Sequence, residues 1–289
     1  MRSLALLGLC ACNEIFGLSG TKTRGIDAQY FDAPADAPYT CPPAGVQPGF
    51  DRLLHQVIEQ DCFGYTISTL SGVAVATCYD PGTQIESGLI DQPMTPVVLQ
   101  TKFPAGYWYN AVFTPDHDMF VTAYDMAATA YSFVSFVRGG DGTWTDGPAI
   151  TWPFVWASGD TLTVPSHAPG RHMLYFRQPD NAWYEIAETA PSTWALARAM
   201  PYKAADLGVA YVYELQMSGD GLRLIGYGEP TGATSYSIVY ASRPRLDADW
   251  PPLQPLATAP GGATTPFLTD DCSRLYFSGL SSVLYVQQQ

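Results

Sequence analysis

The chain has 289 residues and a formal net charge of −13, with 27 acidic and 14 basic side chains. This acidity argues against a nucleic-acid partner, because neutralising phosphates requires a cationic surface. No apolar run approaches the roughly 18–20 residues that span a bilayer as a helix. An apolar fraction of 47%, only 14% charged residues, 26 Gly and 24 Pro together indicate one turn-rich, all-β domain.

The N-terminal segment has the pattern of an export signal that ends at a cysteine. After a single early charge, Arg2, the chain is mostly apolar up to Cys12. Residues 9–12 (Leu-Cys-Ala-Cys) resemble a bacterial lipobox, whose final cysteine accepts the lipid. The resemblance implies that residues 1–11 are a signal peptide and that acyl chains on Cys12 anchor the protein in the cell envelope. Asn13 replaces the Asp typical of inner-membrane retention, so we expect the outer membrane, on its periplasmic or surface face.

Residues 12–49 are predicted to form a lipid-anchored linker. An acidic Asp-Ala-Pro unit repeats between residues 32 and 38. Such a segment cannot bury enough apolar surface to fold, and its prolines favour an extended polyproline II conformation. We therefore expect a stalk that carries a folded domain at residues 50–289. The alternative is that the stalk is itself a binding motif.

Four cysteines lie outside the signal segment and the lipid site: Cys41, Cys62, Cys78 and Cys272. An even number in an exported chain predicts two disulfides, with three possible connectivities. Cys62 and Cys78 flank a hairpin-like segment, so they could face each other across two strands. That pairing would leave Cys41 to bond Cys272 and join the beginning of the domain to its end. A Cys62–Cys272 bond is the alternative.

An internal repeat organises residues 60–289. Each unit has an apolar strand, a tight turn of the form Ser/Thr-x-Asp, and further short strands. The Asp of such a turn can bond the backbone two residues further on. Five anchor residues recur at intervals of about 40–60 residues: Ser71, Thr114, Ser158, Ser218 and Thr269. Four short strands per unit are typical of a β-propeller blade, because packing blades around an axis buries both faces of each sheet.

Two of the turns resemble a known propeller family. Residues 218–225 and 271–278, each followed by a short strand such as residues 283–286, resemble the repeat of TolB-type, WD-repeat-like propellers. The resemblance implies an architecture and no particular activity. We predict an all-β propeller of five blades. A sixth blade could occupy the long interval between Ser158 and Ser218, and a two-sheet sandwich is the alternative fold.

The last unit ends after its third strand, and residues 50–58 are a candidate for the missing fourth. They precede the first unit just as residues 250–256 precede the fifth. We therefore predict that they pair with the C-terminal blade and close the ring. The same residues also fit the apolar face of a short helix, which is the alternative.

Common catalytic motifs are missing from the sequence. It has no G-x-S-x-G nucleophile elbow, no H-E-x-x-H zinc helix and no glycine-rich phosphate loop. We therefore predict no catalytic residue, no cofactor and no metal ligand.

Aromatic residues cluster just before three of the anchors, where innermost strands or their entry loops are expected. Rings at such positions could stack on a sugar or hold a peptide, or they could fill the space between blades. Seven residues are candidates for ligand binding: Tyr107, Trp108, Tyr109, Trp152, Trp156, Tyr211 and Tyr213.

The leading functional prediction is a non-catalytic, lipid-anchored binding or scaffold module. Its partners would be the membrane, through the lipid, and a protein, peptide or glycan. The alternative is a carbohydrate-active hydrolase, which would need two or three carboxylates near the propeller axis. Three acidic residues at predicted inner-strand positions are candidates: Asp61, Asp206 and Glu214.

Overall fold

The computed structural model describes these residues: 41–58, 62–68, 72–78, 84–92, 94–97, 107–113, 118–125, 130–157, 159–163, 171–279 and 282–288. The predicted signal peptide, the lipid site Cys12 and residues 12–40 of the predicted linker lie outside them. The chain divides into residues 1–38 and a unit that spans Tyr39–Gln289. Among the described residues, no helix is long and apolar enough to cross a membrane.

Five antiparallel sheets follow one another along the chain. β1 (His55–Ile58) comes first and joins the last sheet. Blade 1 has four strands: β2 (Cys62–Ser68), β3 (Val73–Cys78), β4 (Gln84–Leu89) and β5 (Thr95–Pro96). Blade 2 has four: β6 (Tyr107–Phe113), β7 (Asp118–Asp125), β8 (Ala130–Arg138) and β9 (Trp144–Asp146). Blade 3 has five: β10 (Thr161–Leu162), β11 (His172–Arg177), β12 (Ala182–Ala190), β13 (Thr193–Leu196) and β14 (Tyr202–Lys203).

The two remaining sheets complete the ring. Blade 4 has four strands: β15 (Val209–Met217), β16 (Arg223–Pro230), β17 (Ser237–Ser242) and β18 (Gln254–Pro255). Blade 5 combines β1 with three C-terminal strands: β19 (Thr264–Leu268), β20 (Arg274–Ser278) and β21 (Val283–Gln287).

The first strands of neighbouring sheets contact one another, so they form the inside of the ring. β19 contacts β2, β2 contacts β6, and β15 contacts both β10 and β19. The all-β, five-bladed propeller is therefore confirmed. The long interval before Ser218 is occupied by the strands of blade 3, which excludes a sixth blade there. The two-sheet sandwich is also excluded.

The N-terminal strand closes the ring, as predicted. β1 pairs antiparallel with β21, with His55 opposite Tyr285 and Gln56 opposite Leu284. Phe50 forms a further bridge to Gln288. The helical alternative for residues 50–58 is therefore wrong. The last blade takes its outer strand from the other end of the chain, which ties the two ends together.

Both disulfides have the favoured pairing. Cys62 faces Cys78 across β2 and β3 and is bonded to it, and Cys41 is bonded to Cys272. The last residues of the predicted linker also contact the propeller. The backbone N–H of Gly45 donates to Ser242 Oγ at 2.8 Å. Residues 41–49 are therefore fastened to the folded unit.

The anchor turns of blades 4 and 5 have the predicted chemistry. The backbone N–H of Leu222 donates to Asp220 Oδ1 at 3.0 Å, and that of Ser273 donates to Asp271 Oδ1 at 2.9 Å. Cys272 has a φ of 59°, a conformation that favours glycine, and it occupies the place of a glycine in the repeat. The anchors Ser71, Thr114 and Ser158 lie outside the described residues.

The third predicted turn has a different place in the blade. The carboxylate of Asp160 accepts the backbone N–H of Ala157 at 2.8 Å, directly before the first strand of blade 3. The segment therefore leads into the inner strand and does not join the first strand to the second. The connection that does so is residues 163–171. A Ser-x-Asp pattern alone does not distinguish the two kinds of turn.

The core lies between the blades. Val121 and Phe136 of blade 2 pack against Val75 of blade 1, and Trp183 of blade 3 packs against Leu215 of blade 4. All five side chains are at least 99% buried. This packing fixes the inner strands around the axis.

Candidate functional site

The inner strands of all five blades begin at one face of the ring, which we call the entry face. Three of them are irregular near this end. The pairing register shifts between Phe63 and Thr66 in β2 and between Thr264 and Phe267 in β19. In β15 it shifts between Val209 and Tyr211 and again, at the middle of the strand, between Val212 and Glu214. Bulges of this kind re-aim side chains and are frequent next to active sites. The irregular strands therefore make the entry face a candidate for the functional site.

Glu214 lies at the bulge of β15, and glycines on the neighbouring strand make room for it. A Cβ atom at Gly226 would lie 2.4 Å from the carbonyl oxygen of Glu214, and one at Gly228 would lie 2.7 Å from the carbonyl oxygen of Tyr211. Both distances are too short for a side chain. The two glycines are thus required for β15 to approach β16 so closely at this point.

The strand register directs Glu214 towards blade 5. Leu215 packs on the blade 3 side, while Glu214 lies opposite Tyr227 of β16. Tyr227 is on the same face of that strand as Ile225, which packs against blade 5. Because β15 and β19 are in contact, Glu214 lies where the inner strands of blades 4 and 5 meet.

The Glu214 carboxyl is half-buried and has no ion pair or hydrogen bond with any described residue. Burial raises its pKa from 4.5 to about 7. A carboxyl group that titrates near neutrality can donate a proton in one step and accept one in another. Glu214 therefore has the properties of an acid–base residue.

The other two predicted axial carboxylates differ from Glu214. Asp206 is exposed, and its Oδ2 accepts the backbone N–H of Lys203 at 2.8 Å in the turn before β15. This contact gives Asp206 a structural role in the turn. Asp61 lies outside the described residues.

Tyr211 and Tyr213 lie beside Glu214 on β15 and are 42% and 48% exposed. Their ring centroids are 4.5 Å apart. The ring of Tyr213 also contacts Tyr227, at 6.1 Å, and Tyr236, at 5.1 Å. Sequence reasoning missed the last two residues. Pairing residues across the predicted hairpin could have found Tyr227, because it lies opposite Glu214.

The tryptophan candidates lie elsewhere, in an aromatic cluster between blades 2 and 3. Trp156 stacks on Phe133 with ring centroids 4.7 Å apart, and Trp152 contacts Tyr175 edge to face at 5.2 Å. Both tryptophans are half-buried and pack against the core. The remaining candidates are on β6, outside the side chains that the structure describes: Tyr107, Trp108 and Tyr109.

The fold is similar to solved propeller structures. A glycosyl hydrolase from Bacteroides ovatus matches with a TM-score of 0.53 and 13% identity, over 84% of this chain and 93% of that one. A putative glycoside hydrolase from the same species matches with a TM-score of 0.52 and 12% identity, over 87% and 98%. One from Parabacteroides distasonis matches with a TM-score of 0.50 and 14% identity, over 88% and 97%. The sequence matches no protein-family model and none of the curated proteins.

These likenesses correct the leading functional prediction. A non-catalytic binding or scaffold module was expected, but the similar propellers are described as glycoside hydrolases. The non-catalytic module is therefore withdrawn as a prediction, while likenesses of 12–14% identity themselves show the fold alone. The resemblance to TolB-type propellers stays a prediction, while the propeller architecture itself is confirmed.

Proposed function

We propose that the protein is a carbohydrate-active hydrolase that cleaves a glycosidic bond at its entry face, with Glu214 as the general acid. The observation that carries the proposal is the Glu214 carboxyl itself, placed on an inner strand with its pKa raised to about 7. The fold that this chain has in common with glycoside hydrolases supports it.

The chemistry requires two carboxyl groups with different protonation states. In our proposal the protonated Glu214 donates its proton to the glycosidic oxygen as the bond to the anomeric carbon breaks. A second carboxylate would act as nucleophile or would activate a water molecule. We propose Asp61 for that role, because it directly precedes the inner strand of blade 1 in the sequence.

The test is hydrolysis of a panel of oligosaccharides and aryl glycosides by the full chain and by Glu214→Gln. We expect Glu214→Gln to lower kcat on oligosaccharides by about 10²–10⁴-fold, the usual contribution of a general acid. The loss should be much smaller for an aryl glycoside whose leaving group needs no proton. The wild-type rate should fall as the pH rises through about 7, since the acid is then ionised.

Asp206→Asn is the matched control, because Asn keeps an oxygen that can accept the backbone N–H of Lys203. This variant should retain the wild-type rate. Equal losses in Glu214→Gln and Asp206→Asn, or equal losses on both kinds of substrate, would contradict the assignment of Glu214. An absence of hydrolysis across the panel would contradict the enzymatic function.

We also propose that the enzyme is held in the cell envelope by lipid on Cys12, in the outer membrane. The lipobox-like residues 9–12 support this localisation. Expression in a bacterial host with labelled palmitate should give a labelled protein in the membrane fraction. Cys12→Ser should be unlabelled, whereas Cys10→Ser should be labelled as the wild type. Label on Cys12→Ser would overturn the proposed attachment site.

A further inference from the structure

Four tyrosine rings, three of them exposed and Tyr227 half-buried, form one cluster at the entry face of blade 4. We call it the tyrosine cluster: Tyr211, Tyr213, Tyr227 and Tyr236. Tyr213 is at its centre and contacts the other three rings. Tyr236 lies in the turn between β16 and β17 and is 40% exposed. Single exposed apolar residues are normal, but contiguous exposed aromatic surface indicates a binding site.

The edges of the cluster are polar and uncharged. The hydroxyl groups of Tyr213 and Tyr236 lie 3.2 Å apart and share a hydrogen bond. This bond raises the pKa of Tyr236 to about 12, so its hydroxyl stays protonated in neutral solution. The cluster therefore presents ring faces together with neutral hydroxyl groups. Pyranose sugars have the matching surface, with patches of C–H groups and hydroxyl groups at their edges.

The charges around the cluster are negative. Glu229 lies opposite Tyr211 on the neighbouring strand. Among the described residues, no Lys or Arg side chain stacks on the four rings. Together with a net charge of −13, this disfavours glycans that carry carboxylate or sulfate groups.

We propose that the tyrosine cluster is a subsite that binds an uncharged glycan by stacking, next to the bond that Glu214 cleaves. This inference rests on the proposed function for the position of the scissile bond. It adds the substrate class, a neutral glycan, and the residues that select it.

The experiment measures binding separately from cleavage, by calorimetric titration of the full-length Glu214→Gln variant. The probes are linear manno-, gluco- and xylo-oligosaccharides, with oligogalacturonate as the anionic probe and chitosan oligosaccharide as the cationic one. At least one neutral probe should bind, and oligogalacturonate should bind at least about tenfold more weakly. Adding Tyr213→Ala or Tyr236→Ala should weaken binding of the neutral probe at least about tenfold, as for other central aromatic contacts.

Leu196→Ala is the matched control, because Leu196 is 46% exposed on β13, in a different blade. It should leave the affinity unchanged. Tyr236→Phe should weaken binding less than Tyr236→Ala, because it keeps the ring. Circular dichroism checks that each variant is folded. We expect all of them to fold, because the side chains of Leu196, Tyr213 and Tyr236 are exposed.

Several results would overturn the inference: no binding of any neutral probe, equal affinity for oligogalacturonate, preferential binding of chitosan, or unchanged affinity in both tyrosine variants. Failure of the proposed function is a different result. If the wild type cleaves no glycan while the tyrosine variants still lose binding, the subsite stands and the hydrolase does not.

Discussion

Two glutamates in neighbouring blades are removed from solvent in opposite ways. Glu185 of β12 is 1% exposed and forms a paired hydrogen bond with Arg243, at 2.8 and 3.1 Å, across the interface between blades 3 and 4. His172 lies 3.2 Å from the same carboxylate. Glu214 of β15, in contrast, has no ionic or hydrogen-bonding partner among the described residues. The Glu185 carboxylate is thus occupied by hydrogen bonds within the protein, whereas the Glu214 carboxyl can exchange a proton with a ligand.

The pKa values of the two groups follow from this difference. Burial alone would raise the pKa of Glu185, but hydrogen bonds from His172 and Arg243 outweigh it and lower the pKa. For Glu214 only burial acts, and the pKa rises to about 7. Burial of a carboxyl group does not by itself reveal its role. The presence of a matching cation separates the structural residue from the functional one.

The contacts of Arg243 give Glu185 a structural role. Its Nε donates to the carbonyl oxygen of Gly221 at 3.0 Å, and its Nη1 donates to that of Ala248 at 3.2 Å. The guanidinium also stacks on the ring of Trp250 at 4.1 Å. The buried charge is therefore paired and hydrogen-bonded on several sides, which is the condition under which a buried ion is tolerated.

Removing Arg243 should give the largest effect on stability. Arg243→Met would leave Glu185 buried without its cation, and we expect a loss of about 3–5 kcal/mol at neutral pH. Denaturation in urea measures it. The loss should shrink as the pH falls, because protonated Glu185 needs no cation. Arg245→Met, which removes an ion pair whose two side chains are each 74% exposed, is the control and should change little. Equal effects would contradict the assignment of Arg243.

Glu214→Gln, unlike Arg243→Met, should raise the stability of the folded protein at neutral pH. Ionisation of Glu214 is opposed in the folded protein, so the wild type loses stability as the pH rises from 4.5 through about 7. Gln carries no charge at any pH. We therefore expect equal stability below pH 4.5 and a gain for the variant, up to about 3 kcal/mol, above pH 7. If the difference in stability between the variant and the wild type did not depend on pH, the pKa of Glu214 would not be raised in the folded protein.

The shape of β15 at Glu214 can be disturbed without touching the carboxyl. Gly226→Ala would place a methyl group 2.4 Å from the carbonyl oxygen of Glu214 and 2.5 Å from Leu215 Cδ2. We expect a destabilisation of about 1–3 kcal/mol and a fall in kcat, because the strand must move. Thermal denaturation and rates on the same preparation measure both.

Gly140→Ala is the control for that substitution, since nothing lies within 4 Å of a Cβ atom at this position. It should be neutral for stability and rate. If Gly226→Ala retains full activity despite its lower stability, the bulge is not needed to position Glu214.

The sequence allowed the blades to be predicted because their chemistry is local. In the anchor turns of blades 4 and 5 the Asp accepts a backbone N–H two residues further on, and Cys62 and Cys78 are symmetric about one hairpin. Closure of the ring by residues 50–58 could be predicted because the last repeat unit lacked one strand and these residues belonged to no other unit. The third anchor was misplaced, because a Ser-x-Asp turn looks the same at the entry of a blade as between its strands.

The site could be predicted only in part. Glu214, Tyr211 and Tyr213 were named as candidates, but nothing local distinguishes Glu214 from Asp206. Their difference arises from burial and partners, which depend on contacts between blades. Tyr236 comes beside Tyr213 only through the pairing of β15, β16 and β17, and a bulge is not visible in a pattern of alternating residues.

The smallest predicted effect concerns the tyrosines beside Glu214. Tyr213→Phe removes the hydroxyl that bonds Tyr236, so the pKa of Tyr236 should fall from about 12 towards its ordinary value of 10. Ultraviolet absorbance of the phenolate during titration measures it. Tyr211→Phe is the control and should lower the pKa of Tyr236 much less, because the Tyr211 hydroxyl is not part of the bond and raises that pKa only weakly. If both variants titrate as the wild type does, the hydroxyls of Tyr213 and Tyr236 are not paired. The cluster would then lack the polar edge that lets its rings select a sugar over an apolar ligand.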